Sequence, residues 1–375
     1  MISIKTCKVT AILPARAANQ VIKVLNQHGF FHIYIQEGRL PILKKATNLA
    51  NFFTDKRSLF SNPVKIINLY VQAKDETTAL HLIADTARLY HPGQGSLYSE
   101  PCHLYQSNLL QINQTKSYQS KKRLPFVEEL VGISVVVQRG EADALARALL
   151  QSGLGSPAIF FGSGTGLREK IGLLRITIPA AKEILSVVVA KWDTARVIDM
   201  LIAVGRLHLP GRGFLNTFPV NRGILNTKMT MGHQYQAARL DQMIAAIDSL
   251  TGNIDWRRSG FDDEEDYVSR RYMEGADIHM ICNAGHGVSL VKAAMAAGCP
   301  GATIEPLRLL QAEDSDEFMM SPARERSKMM IEHNKIHTIL SAVENAGAYS
   351  QEKQTIIISQ DIPKAFTYVR NKMSA

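Results

Sequence analysis

The chain is poor in the features that mark a membrane protein, a disulfide scaffold or a hydrolase. No run approaches 18 uninterrupted apolar residues, which excludes a transmembrane helix. The four cysteines (Cys7, Cys102, Cys282, Cys299) lie far apart with no CxxC pair. That argues against a disulfide framework or an all-cysteine zinc site and suits a reducing cytosol. The opening MISIKTCKVTAIL carries lysines but no signal-peptide apolar region, so a cytoplasmic location is expected. There is no GxSxG, no HExxH and no carboxylate pair in a recognisable setting, so an enzyme is not expected. What is present is 46% hydrophobic residues in a 375-residue chain, enough for two or three domains with real cores.

Charge is unevenly placed. Residues 1–125 hold 16 Lys/Arg against 6 Asp/Glu, whereas residues 126–375 hold 27 against 28. The net +9 therefore belongs to the first third. Such a surface is either a solvated face or an attractor of phosphates, nucleic acid, anionic lipid or an acidic partner. No nucleic-acid-reading motif accompanies it, so a protein partner ranks above nucleic acid.

One pattern is written three times. In the middle, Gly132–Gln138 reads as a buried strand. A helix with Ala142, Leu145, Ala146, Leu149 and Leu150 on one face follows, closed by Gly153. Ala158–Phe161 is the next strand, and Gly162–Gly166 a glycine-rich loop. Strand Ile184–Ala190, a helix marked by Ala195, Ile198, Leu201 and Ile202, the turn Pro210–Gly213 and strand Phe214–Val220 complete the unit. The order is β-α-β-β-α-β, the ferredoxin-like arrangement. It recurs at the front (Cys7–Leu104, with a long loop Glu37–Asn62) and at the back (Ile278–Ser359). The glycines closing the first helix of each copy are Gly29, Gly153 and Gly298. An insert, Asn226–Gly275, contains an expected helix Tyr235–Leu250 and the acidic run Asp262–Asp266.

A single such unit leaves one sheet face uncovered. Three in one chain can turn those faces inward about a pseudo-threefold axis, as a homotrimer would, but by covalent linkage. The expected faces are apolar.

Lys182–Gly223 resembles the second half of the nitrogen-regulatory PII signal-transduction proteins, and Gly140–Gly166 resembles their first half. His286–Leu307 is similar to that first half again; the first third is similar mainly in element order and in its HPGQG turn. The resemblance implies an α+β protein of three tandem PII-like units forming an intrachain pseudo-trimer: 1-125, 130-225 and 276-375, with the insert 226-275. It implies ATP or ADP in inter-unit clefts as the small-molecule ligand. It also implies T-loops that engage a transporter, an enzyme or a transcription factor. Glu37–Asn62, Gly162–Ile171 and Gln311–Ser327 hold the T-loop positions.

The glycines Gly162, Gly164 and Gly166 can form an anion nest or serve as a plain hinge. Under the resemblance they sit at a T-loop base, and Arg168 and Lys170 would meet phosphate. Gly211, Arg212 and Gly213 match the family's B-loop, where a phosphate-binding lysine normally follows; here that residue is Phe214, and Ser96 in the first unit. A tight turn is the other reading. Arg222 and the cluster Lys121-Lys122-Arg123 match basic residues that reach a neighbouring cleft, or are solvated charge. His279 and Cys282, three apart on a strand, point to opposite faces, so no metal is expected. The two functional readings are a sensor that engages a partner and a scaffold that has lost nucleotide binding. A nucleotide-dependent enzyme using the glycine loop ranks third.

Overall fold

The computed structural model describes residues 3–45, 57–105, 115–122, 124–166, 181–226, 230–231, 272–310 and 321–368. The fold is mixed α/β. Its first block runs β1 (Ser3–Leu13), α1 (Ala15–Gln27), β2 (Ile33–Lys45), β3 (Arg57–Gln72), α2 (Glu76–Thr86) and β4 (Ser96–Tyr105). The second runs β5 (Leu130–Gln138), α3 (Ala142–Ser152), β6 (Ala158–Gly166), β7 (Ala181–Ala190), α4 (Thr194–Gly205) and β8 (Gly213–Val220), prolonged by β9 (Arg222–Ile224). A short β10 (Thr230–Met231) follows. The third runs β11 (Met273–Asn283), α5 (Gly287–Ala296), β12 (Gly301–Leu310), β13 (Ala323–Ile331), α6 (Ile336–Asn345) and β14 (Ile356–Thr367).

Each block is an antiparallel sheet with the same strand order: β2-β3-β1-β4, β6-β7-β5-β8 and β12-β13-β11-β14. The period-2 alternation of each strand sends one set of side chains to the helices. From β1 these are Val9, Ala11 and Leu13, which pack with Val21 and Leu25 of α1 and Leu80 and Ile83 of α2. The second and third blocks build equivalent cores, around Leu145, Ile198 and Leu201, and around Leu290, Ile339 and Val343. The expected helix-closing glycines Gly29, Gly153 and Gly298 take φ of 82°, 71° and 101°, the left-handed region glycine enters at least cost.

The blocks are joined edge to edge in two cycles. Early β2 pairs with late β12 (Tyr34 with Leu309), early β12 with late β6 (Thr303 with Gly164), and early β6 with late β2 (Ile159 with Arg39). The last strands repeat the scheme: early β14 pairs with late β4 (Ile358 with Leu104), early β4 with β9 (Tyr98 with Gly223), and early β8 with late β14 (Leu215 with Phe366). Every block thus contacts both others. The sheet faces opposite the helices look toward a common centre, where residues of all three blocks line one chamber.

Three expectations change. Gly162–Gly166 is strand, not loop, because β12 pairs along it. Most of the expected long loop Glu37–Asn62 is ribbon, with β2 and β3 paired out to Lys45 and Arg57 and β10 adding a parallel strand at Leu43–Lys44. The inward faces are not uniformly apolar. Apolar seams exist between the first and second blocks (Ile12, Ile66, Tyr98, Phe160, Val188) and between the first and third (Tyr34, Leu104, Leu309, Ile358). The middle, however, is ionic. The expected helix Tyr235–Leu250 and the run Asp262–Asp266 lie outside the described residues.

Candidate functional site

Of the eight residues singled out in the sequence, seven fall in three places, and Arg168, like Lys170, lies outside the described residues. Gly162 lets β6 and β12 approach, and Gly164 is the register partner of Thr303. A Cβ on Gly162 would stand 3.0 Å from the Ile304 carbonyl oxygen and 3.0 Å from Ile184 Cδ1. Gly166 is the partner of Gly301 on β12. This backbone lies within sheet ladders, so the open nest read from the glycines is replaced by strand pairing.

Gly211 and Gly213 form the turn before β8 with φ of 75° and 128°. A Cβ on Gly213 would lie 2.0 Å from the Val136 carbonyl oxygen, so no other residue fits that approach. Gln138 Nε2 donates to the Gly211 carbonyl at 3.2 Å, and Arg212 pairs with Glu141 at 2.8 Å, which stitches the turn to the β5–α3 connection. Gly213, Val137, Glu183 and Phe161 form one rank across the sheet. The turn and the β6 glycines are therefore on opposite edges, about 14 Å apart at the strand spacing.

Between them sits Glu183, buried. Its Oε2 accepts from the Gly140 N–H at 2.9 Å and the Ala142 N–H at 3.1 Å, at the positive end of α3. Its Oε1 pairs with Arg39 of the first block at 3.1 Å. The ready-made anion site at this end of the second sheet is thus filled by the protein's own carboxylate.

Arg222 belongs to a different junction. Its guanidinium donates to Thr77 Oγ1, lies 3.9 Å from Glu76 and stands 5.8 Å from the Phe126 ring centre, tying the second block to α2 of the first. Nearby, Lys122 reaches the Tyr90 hydroxyl at 2.7 Å and stands over its ring.

The largest concentration of buried chemistry is one the sequence reading missed. On the inward faces of the first and third blocks, Lys8 Nζ donates to Glu100 Oε1 at 2.8 Å and Oε2 at 3.1 Å. Thr10 and Gln360 also donate to Glu100, each at 2.9 Å. Burial alone would raise the Glu100 carboxyl, but Lys8 and these hydrogen bonds overcome it and hold it below its ordinary value. Arg326 pairs with Glu305, Nε donating at 2.9 Å, and its Nη2 also donates to Gln36 Oε1 at 3.1 Å. Burial acts to raise Glu305 as well, and Arg326 with Lys328 outweighs it. His279 Nε2 donates to Asp277 at 2.9 Å; burial pushes the imidazole down against the pull of that carboxylate, and its Nδ1 has no partner. Alternating charges on single strands, such as Arg324-Arg326-Lys328, were the available signal; in isolation such a stripe reads as a solvated face.

His279 and Cys282 lie on opposite faces of β11, the first toward the axis and the second in the helix-side core. Among the described residues no group of three or more His, Cys, Asp or Glu could hold a metal ion, and no helix is long and apolar enough to cross a membrane. The four cysteines are free and buried.

No family model and no curated protein matches the chain. Solved structures do. A crystal structure of Arabidopsis thaliana PII bound to citrate is 19% identical, with 96% of that chain and 29% of this one covered and a TM-score of 0.20.

Proposed function

We propose that the chain is a covalent pseudo-trimer of three tandem ferredoxin-like, PII-like units, spanning 1-125, 130-225 and 276-375, that acts as a regulator and not as an enzyme. A small molecule or nucleotide, ATP or ADP being the first candidates, occupies inter-unit clefts and biases the T-loop segments. Those segments engage a partner protein. The observation that carries this reading is the double cycle of strand pairings, which makes within one polypeptide the contacts a homotrimer makes by association. The β2–β3 ribbon supports the partner-binding half: it outruns its own sheet, and Phe60, with Lys44 4.6 Å from its ring centre, is exposed on it. The mechanism is a population shift, limited by the ligand's differential affinity for the two loop states.

A second reading, a non-catalytic scaffold that has lost nucleotide binding, is favoured by one observation. Glu183 fills the α3 N-terminus, and Phe214 follows the turn where a lysine would meet phosphate. Calorimetric titration with ATP and ADP, with and without Mg²⁺, separates the readings. Saturable heat without hydrolysis is expected of the sensor. No heat and no thermal shift at millimolar nucleotide selects the scaffold, and hydrolysis refutes both.

A further inference from the structure

We propose that the chamber where the three blocks meet is a binding site for a small monoanion (a halide, nitrate or short carboxylate) held by Arg326, Gln36 and Lys328. This does not depend on the regulatory reading, and the site is not one of the inter-unit clefts. Hydrogen-bonding capacity at the chamber is not fully used. Arginine has donors only, so the Gln36 amide turns Oε1 to Arg326 and leaves Nε2 without a partner. Arg326 Nη1 is likewise buried with no partner at normal hydrogen-bond geometry, and the Tyr70 hydroxyl close to this guanidinium is unpartnered as well. Gln36 and Arg326 are 3% and 2% exposed, so water outside the protein does not serve them. Lys328 Nζ stands 3.9 Å from Glu305, beyond hydrogen-bond length. All three side chains line the same chamber.

The carboxylates that also line it are already engaged, Glu100 by Lys8, Thr10 and Gln360, and Asp277 by His279. The second block closes the far side with Ser134, Phe160, Ser186 and Asn216, which bring no carboxylate. Of the side chains lining the chamber, the unpartnered Arg326 Nη1, Gln36 Nε2 and Asn68 Nδ2 are donors, so a guest there must accept; the unpartnered Glu305 Oε1 lies outside that lining, 3.9 Å from Lys328 Nζ. Three cations and two carboxylates line the space, with Glu305 behind Arg326, so the surroundings favour a single negative charge over a polyanion.

Crystals grown with sodium bromide test this directly. An anomalous bromide peak within about 3.5 Å of Arg326 Nη1 and Gln36 Nε2 is expected. It should vanish in Gln36→Glu, whose carboxylate keeps the shape and replaces the donor with a charge that Arg326 accepts. In solution, thermal unfolding is followed at fixed ionic strength in sodium gluconate titrated with bromide, formate or acetate. A saturable rise is expected for at least one small anion, with an apparent affinity weakened at least tenfold in Gln36→Glu and in Lys328→Met. A response to bromide alone assigns an inorganic anion, and a response to formate or acetate alone assigns a carboxylate. Ordered water alone in the bromide crystals, a peak with no thermal response, or an undiminished response in Gln36→Glu would overturn the proposal.

Discussion

The two faces of each sheet in this molecule solve burial by different means. The helix-facing side is built the same way in all three blocks, with aliphatic strand residues under two amphipathic helices. The axis-facing side differs from block to block. It is aliphatic and aromatic where the second block meets the first, but carries Lys8, Glu100, Glu305, Arg326, His279 and Asp277 where the first and third converge. A helix-facing core is built mainly from its own block. On the axis face the ion pairs Lys8–Glu100, Arg326–Glu305 and His279–Asp277 also form within one block, and closure joins them through hydrogen bonds to uncharged residues of another block, Arg326 to Gln36 and Gln360 to Glu100. The difference suggests that the ring is held by two unlike terms, non-directional burial at the seams and a directional ionic network at the centre.

Substitutions can break this comparison. The largest effect is expected at the centre. Lys8→Met leaves Glu100 buried without its cation and should cost about 3–5 kcal/mol in chemical denaturation, while Lys8→Met with Glu100→Leu should recover most of that. Equal losses in the single and double variants would show that the pair is not a unit. On the helix-facing side, Leu201→Ala should cost about 3 kcal/mol, and no second substitution on the axis should rescue it. A comparable effect is expected from pH. Burial, with Arg324 nearby, pushes His32 down to about 4. The unfolded imidazole takes up its proton first, so the stabilisation is complete above about pH 6.5, falls as pH drops from 6.5 toward 4, and is flat below; the loss is about 3 kcal/mol. His32→Gln should flatten the urea midpoint over that window. The smallest effect belongs to Arg212→Ala, whose pair with Glu141 is half exposed and worth about 0–1 kcal/mol.

The repeated β-α-β-β-α-β order was legible because it rests on local signals. Ala142, Leu145 and Leu149 recur at helical spacing, Val135–Val137 at strand composition, and Gly29, Gly153 and Gly298 close helices. What could not be read was anything decided by contact between blocks. Gly162–Gly166 has the composition of a loop and becomes strand because β12 lies against it. Glu37–Asn62 is basic, aromatic and broken by Pro41, yet β3 pairs along β2 on both sides of Gly38. Arg222 reads as a cleft residue and is instead a brace to Thr77 and Glu76. Arg326 falls in the expected loop Gln311–Ser327 and lies instead in β13, and nothing within the strands of Lys8 and Glu100 announces that a neighbouring block will cover them.

Closure of the three blocks within one chain is tested most directly across the seam between β8 and β14. Phe214 and Thr367 are register partners there, 153 positions apart in sequence. Antiparallel partners stand about 4.5–5.5 Å apart at Cα, within reach of a disulfide. In the variant Phe214→Cys with Thr367→Cys, mild oxidation should remove two free thiols at an unchanged single-chain mass of 41.5 kDa. Thiols that stay reduced, or that cross-link only between molecules, would contradict the closed ring.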